Sequence, residues 1–123
     1  LKIWTYGNAH VDCAWKFIKP FKECRDSGFK DQITRSALSI PSNIAEGYER
    51  NTNKDATKFF YYAKGSAGEL RTQIYIGMEI GYIHKQAGLN WIQEAQEISK
   101  MLSGLIKARI HYKPFTLTLL SFT

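Results

Sequence analysis

A chain of 123 residues with 17 Lys+Arg against 11 Asp+Glu, a net charge of +6, reads as one domain with a basic surface. Hydrophobic residues make up 44% and charged residues 23%, enough to bury a core and unlike a disordered chain. No apolar run approaches the ~20 residues that span a bilayer, and no charged-then-apolar leader opens the chain, so the cytoplasm is the expected compartment.

Four helical segments are predicted, in an all-α domain over residues 1–113. The first runs from about Asn8 to Asp26, with Val11, Ala14, Trp15, Ile18 and Phe21 at spacings of three and four. Pro20 should bend it and Ser27-Gly28 should stop it. It holds both cysteines, Cys13 and Cys24, which ~1.5 Å of rise per residue sets roughly 16 Å apart, too far for a disulfide. Reduced thiols fit a reducing compartment.

The second segment spans about Lys30 to Glu46, with Ile33, Ala37, Ile40 and Ile44 on one face, Pro41 inside it and Gly47 as its stop. A proline there removes a backbone donor at a cost of ~3 kcal/mol or more, so packing or a partner should compensate. The third starts at Thr52 as N-cap, with Asp55 in the place of the usual Glu. Phe60, Ala63, Ala67, Leu70, Ile74 and Met78 then stripe it as far as Gly81. Gly65 and Gly68 sit mid-helix at about 1 kcal/mol each, so close approach by another helix is expected there. The fourth covers about Lys85 to Tyr112, with Ile92, Ala95, Ser99, Leu102, Ile106 and Arg109 on one seam, widened by Ile98 and Leu105. Short connections make the helices antiparallel neighbours: an up-and-down four-helix bundle. After Pro114 the tail, residues 114–123, is apolar, uncharged and β-prone.

Catalytic and metal patterns are thin. No Glu stands three residues before a His, as di-metal bundles require. Glu94 with Glu97 is a solvated pair, His10 with Cys13 lacks further ligands, and Ser27-x-x-Lys30 straddles a turn with no companion motif. The chain is expected to be non-enzymatic, without metal or cofactor. The cations are the remaining candidates for binding. Lys54, Lys58, Arg71, Lys100, Lys107, Arg109 and Lys113 recur along the third and fourth helices, and Arg35 and Arg50 precede them. Accessible cations at phosphate spacing suit nucleic acid. Tyr61, Tyr62, Tyr75 and Tyr82, taken to project from the third helix, could stack on unpaired bases, but an apolar body with a polar tip more often anchors a protein interface.

Several runs carry a family likeness. They are Gln32-Ile33-x-Arg35-x-Ala37-x-Ser39-Ile40-Pro41-Ser42-Asn43-Ile44-Ala45-Glu46-Gly47, then Thr52-x-x-Asp55, Gly65-Ser66-x-x-Glu69-Leu70-x-Thr72-Gln73, Gly81-Tyr82-Ile83 and the stretch Ile98 to Ile106. Over about residues 3–112 the chain resembles the bacterial four-helix-bundle family whose founding members are encoded by intervening sequences inside 23S ribosomal RNA genes. The resemblance implies a left-handed antiparallel bundle and a homopentamer. It also implies kinship with the accessory protein of diversity-generating retroelements, which engages a reverse transcriptase and nucleic acid. Asp55 in place of the usual Glu of the capping box departs from the pattern, the tail after Pro114 has no counterpart in it, and two further positions differ. Ala56 stands where the family tends to have an aromatic, and His84 replaces a better N-cap, so the fourth helix should start late. Arg35, Asn43 and Glu46 admit two uses: a buried Arg–Glu pair with Asn beside it, holding the proline-bearing helix in one geometry, or direct nucleic-acid contact.

The expected function is therefore a homo-oligomeric, pentameric basic bundle that binds nucleic acid, RNA before DNA. The alternative is a scaffold that docks a partner such as a reverse transcriptase.

Overall fold

The computed structural model describes residues 24–111, which form three antiparallel helices: α1, Ser27–Tyr48; α2, Asn53–Glu79; and α3, Lys85–His111. Nearly all of the first predicted helix lies outside these residues, with Cys13 and Pro20, and so do Lys113 and the tail. The all-α architecture holds across the described chain. α2 packs against α1 on one side and α3 on the other, whereas α1 and α3 hardly touch each other.

Cys24 to Asp26 are not helical, contrary to the expected first helix, and Ser27-Gly28 opens α1 instead of ending its predecessor. The cause is Asp26. Its backbone is extended and its Oδ1 accepts the Phe29 N–H at 3.0 Å, which makes it an N-cap. Cys24 is a half-buried free thiol whose Sγ lies 3.7 Å from the Asp26 carbonyl. At the other end α1 runs past Gly47 to Tyr48, and the Glu49 N–H reaches back to the Ala45 and Glu46 carbonyls. Gly47 thus serves packing instead of termination. A Cβ there would stand 2.5 Å from Cε1 of Phe60 and 3.1 Å from the Ala56 carbonyl oxygen. Small size at 47 lets α1 close on the start of α2.

Thr52 caps α2 as expected, its Oγ1 accepting the Asp55 N–H at 3.1 Å. Phe60, Ala63, Ala67, Leu70 and Ile74 are wholly buried, and Met78 packs half-buried on the same core. Each large apolar side chain taken from water contributes about 1.5–3 kcal/mol, so this stripe is the centre of the core. α2 turns into α3 at Gly81, whose φ of +86° is left-handed. There the N–H groups of Tyr82 and Ile83 both reach the Gly77 carbonyl, at 2.8 and 3.0 Å.

The late start expected for the last helix is not found. α3 begins at Lys85, because His84 does the capping: its Nδ1 accepts the Gln86 N–H at 3.4 Å and its carbonyl the Gly88 N–H at 2.9 Å. Gly88, Ile92, Ala95, Ile98, Leu102 and Ile106 form the buried seam, with Ser99, Leu105 and Arg109 half-buried at its edges. One packing expectation is not met among the described residues. A Cβ on Gly65 or Gly68 would meet no atom within 4 Å among the described residues, so neither α1 nor α3 approaches them closely.

Candidate nucleic-acid interface

One end of the bundle gathers cations from α2, α3 and the α1–α2 turn. The last turn of α3 lies against the first turn of α2, where Arg109 Nη1 donates to Asn53 Oδ1 at 3.3 Å. The same guanidinium sits 6.0 Å from the Tyr48 ring centre, and Tyr48 packs edge-on to Phe60 at 5.3 Å. Arg109 is therefore half-buried and positioned, at a helix C-terminus whose dipole favours positive charge. Arg50, in the α1–α2 turn, is exposed. It pairs with the Glu46 carboxylate one turn back and lies 4.5 Å over the Phe59 ring. Phe59 meets Tyr62 edge-on at 5.6 Å, and the Lys58 ammonium stands 6.0 Å from the Tyr62 centre. These contacts link Arg50, Phe59, Tyr62 and Lys58 into one row, two rings with a cation at each end. Lys54 and Lys107 are exposed at the same end.

The other predicted cations do not join this group. Arg35 is exposed partway along α1, Arg71 is half-buried in α2 and Lys100 is exposed in α3. Lys113 lies outside the described residues. The buried Arg35–Glu46 pair expected from the sequence is not formed. Glu46 stands four residues before Arg50 on the same helical face and takes that partner, while Asn43 Nδ2 donates to the Ser39 carbonyl at 2.8 Å. Acidic groups therefore offset part of the basic end.

Tyr61, Tyr62 and Tyr75 project from α2 about half exposed. Tyr82 does not project from the helix. It follows the α2–α3 turn, donates its hydroxyl to Asp26 Oδ2 at 2.9 Å and packs edge-on to Phe29 at 5.2 Å. The Phe29 N–H, then the Tyr82 hydroxyl, hold the Asp26 carboxyl below its ordinary value. The same hydrogen bond, with some desolvation and the nearby negative charge, pushes the Tyr82 phenol up. Tyr82 is thus an internal tie between the two turns. Phe59 was missed as part of the basic end. The run Lys58 to Tyr62 sets one cation before four aromatics, but only the fold carries Arg50 across the turn onto the Phe59 ring.

Among the described residues no three His, Cys, Asp or Glu side chains gather as metal ligands, and no described helix is long and apolar enough to cross a membrane. Comparison with known proteins adds a family. Residues 1–104 match the 23S rRNA-intervening sequence protein. The chain belongs to that family. No curated protein matches it. Among solved structures, a crystal structure titled as a protein of unknown function from the S23 ribosomal protein family of Bacteroides thetaiotaomicron superimposes with a TM-score of 0.65 at 24% identity, over 86% of this chain and 95% of that one. That likeness concerns the fold. Within this member of the intervening-sequence family, the run from Ser39 to Gly47 buries Ile40, Ile44 and Gly47 and exposes Ser42, Ala45 and Glu46. The buried third of the run faces the core, another third faces outward, and Ser39, Pro41 and Asn43 lie half-buried between them.

Proposed function

We propose that this chain is a non-enzymatic, homo-oligomeric basic bundle of the cytoplasm that binds nucleic acid, structured RNA before DNA. The observation that supports this reading most is the basic end, where Arg50, Lys54, Lys58, Lys107 and Arg109 come together from a turn and two helices. Single exposed cations bind phosphate weakly, so affinity depends on summing many of them. Five copies, the number the family resemblance implies, would place five such ends and five times the charge of +6 on one particle. The test is RNA and DNA binding, read by fluorescence anisotropy as salt rises from about 50 to 200 mM. Affinity should fall by orders of magnitude when many phosphates are contacted. Replacing Lys54, Lys58 and Lys107 together by Gln should flatten that slope. No binding at the low-salt end, or binding indifferent to salt, rejects the proposal.

A second reading is a scaffold docking a protein such as a retroelement reverse transcriptase. The exposed Tyr61 and Tyr75 favour it. Co-purification with a reverse transcriptase encoded beside the gene, abolished by Tyr61→Ala with Tyr75→Ala, would support that reading; its absence would remove it.

A further inference from the structure

Four aromatic residues stand in series in the first half of α2, Phe59, Phe60, Tyr61 and Tyr62, and the core takes only Phe60. A helix shaped by its own folding alone would carry polar helix formers at most of the outer positions. Phe59 is half-buried and Tyr62 exposed, and their planes meet at 88°, so neither ring lies flat on the other. Arg50 lies over Phe59, and its Nη2 donates to the Glu46 carboxylate. That carboxylate offsets the charge of Arg50 and fixes its head group. What remains is a planar surface backed by a ring, with 39% of the side chain open to solvent. The Lys58 ammonium stands 6.0 Å from the centre of the Tyr62 ring, which puts a cation beside this second flat surface too.

Phosphate attraction at this end comes from other side chains. Among the described residues no carboxylate pairs with Lys54, Lys58 or Lys107. Lys54 and Lys58 stand one helical turn apart, ~5–6 Å between Cβ atoms, a separation similar to that of adjacent phosphates along one strand.

We propose that the row from Arg50 through Phe59 and Tyr62 to Lys58 is a stacking platform for unpaired bases of a folded RNA, with Lys54 and Lys58 on the phosphates of the same strand. The proposal rests on the nucleic-acid reading above and narrows it from charge alone to loops and bulges. A paired duplex offers phosphates but keeps the faces of its bases covered by their neighbours, so flat side chains find nothing to stack on. An unpaired nucleotide carries a π face and a negative charge in one unit, and the row and its lysines match both. Aromatic rings and arginine planes are the surfaces on which splayed bases stack, and every base has such a face, so the platform tolerates any sequence. An acidic peptide would be drawn by the same lysines but would leave the planar surfaces without a counterpart.

The experiment uses the whole chain and two RNAs with the same number of phosphates, a short hairpin with an open loop and a fully paired duplex. Affinities are read by fluorescence anisotropy at about 50 mM salt, where charge-driven binding is strong. The hairpin should bind about tenfold or more tightly than the duplex, the effect of stacking one base or more. A fluorescent purine analogue placed in the loop should be quenched on binding, as a base is when it stacks. Arg50→Lys keeps the charge and removes the plane, and Tyr62→Leu removes an exposed ring without touching the core. Each should cut the hairpin preference severalfold and weaken the quenching, with far-UV circular dichroism unchanged. Tyr62→Phe should keep both, because the ring and not the hydroxyl carries the contact. Equal affinity for the two RNAs overturns the platform and leaves charge-driven binding standing. A preference that survives Arg50→Lys together with Tyr62→Leu overturns it as well. If neither RNA binds, this proposal and the one beneath it both fall.

Discussion

Along α2, residues adjacent in sequence live under opposite constraints. Phe60, Ala63, Ala67, Leu70 and Ile74 are closed between α1 and α3, and their volumes are set by what surrounds them. Tyr61, Gly65, Thr72 and Tyr75 stand one or two residues along and meet solvent. The inner face is explained by the fold of one chain. The outer face carries aromatic surface and poor helix formers that the packing of α1, α2 and α3 does not require. A helix whose exposed side departs from ordinary polar helix formers is reporting something other than its own folding.

Substitutions can break that contrast or sharpen it. The largest effect should come from Phe60→Ala, which empties the site where α1 and α2 close together. A loss of about 3–5 kcal/mol in urea unfolding is expected. Gly47→Ala should cost about 1–3 kcal/mol by the same measurement, because its new methyl would strike the Phe60 ring and the Ala56 carbonyl. Gly65→Ala should do the reverse in dilute, single-copy protein. With nothing within 4 Å to strike among the described residues, it should stabilise the chain by about 1 kcal/mol. If both alanines destabilise, the two faces do not differ as described.

The smallest effect should be that of Tyr82→Phe, a slight drop in melting temperature whose interest lies in its pH dependence. The Tyr82 phenol is raised above its ordinary value of 10.0, so its contribution is whole below that pH and is lost as pH climbs through the raised value. The Asp26 carboxyl is lowered from 3.8, so its contribution is whole above that pH and is lost as pH falls through the lowered value. Melting curves of the phenylalanine variant should therefore converge with wild type at high pH. A constant offset up to strongly alkaline pH would show that the hydroxyl is not tied to Asp26.

Much of the fold was legible because it depends on short-range spacing. The buried positions of α2 and most of the α3 seam follow steps of three and four, and Thr52 announces the start of α2 by residue type. Signals with two readings were less reliable. Ser27-Gly28 reads as a stop until Asp26 is seen to cap the helix that begins there, and Gly47 reads as a terminator although its task is steric. The basic end was the least legible part. Arg109 and Asn53 are 56 residues apart, and no local pattern states that they meet. Arg35 and Glu46 share a motif run and suggest an ion pair, yet Arg50 lies at the better helical distance.

Pro41 sits inside α1, and the helix continues on both sides of it. Because its nitrogen carries no hydrogen, one rung of the helical ladder, back to the Ala37 carbonyl, cannot be made. α1 is thus two shorter ladders held in line by the side chains beneath them. Deuterium uptake should reveal this as two cooperative openings of unequal cost, one on each side of residue 41, where an unbroken helix of that length would open as one.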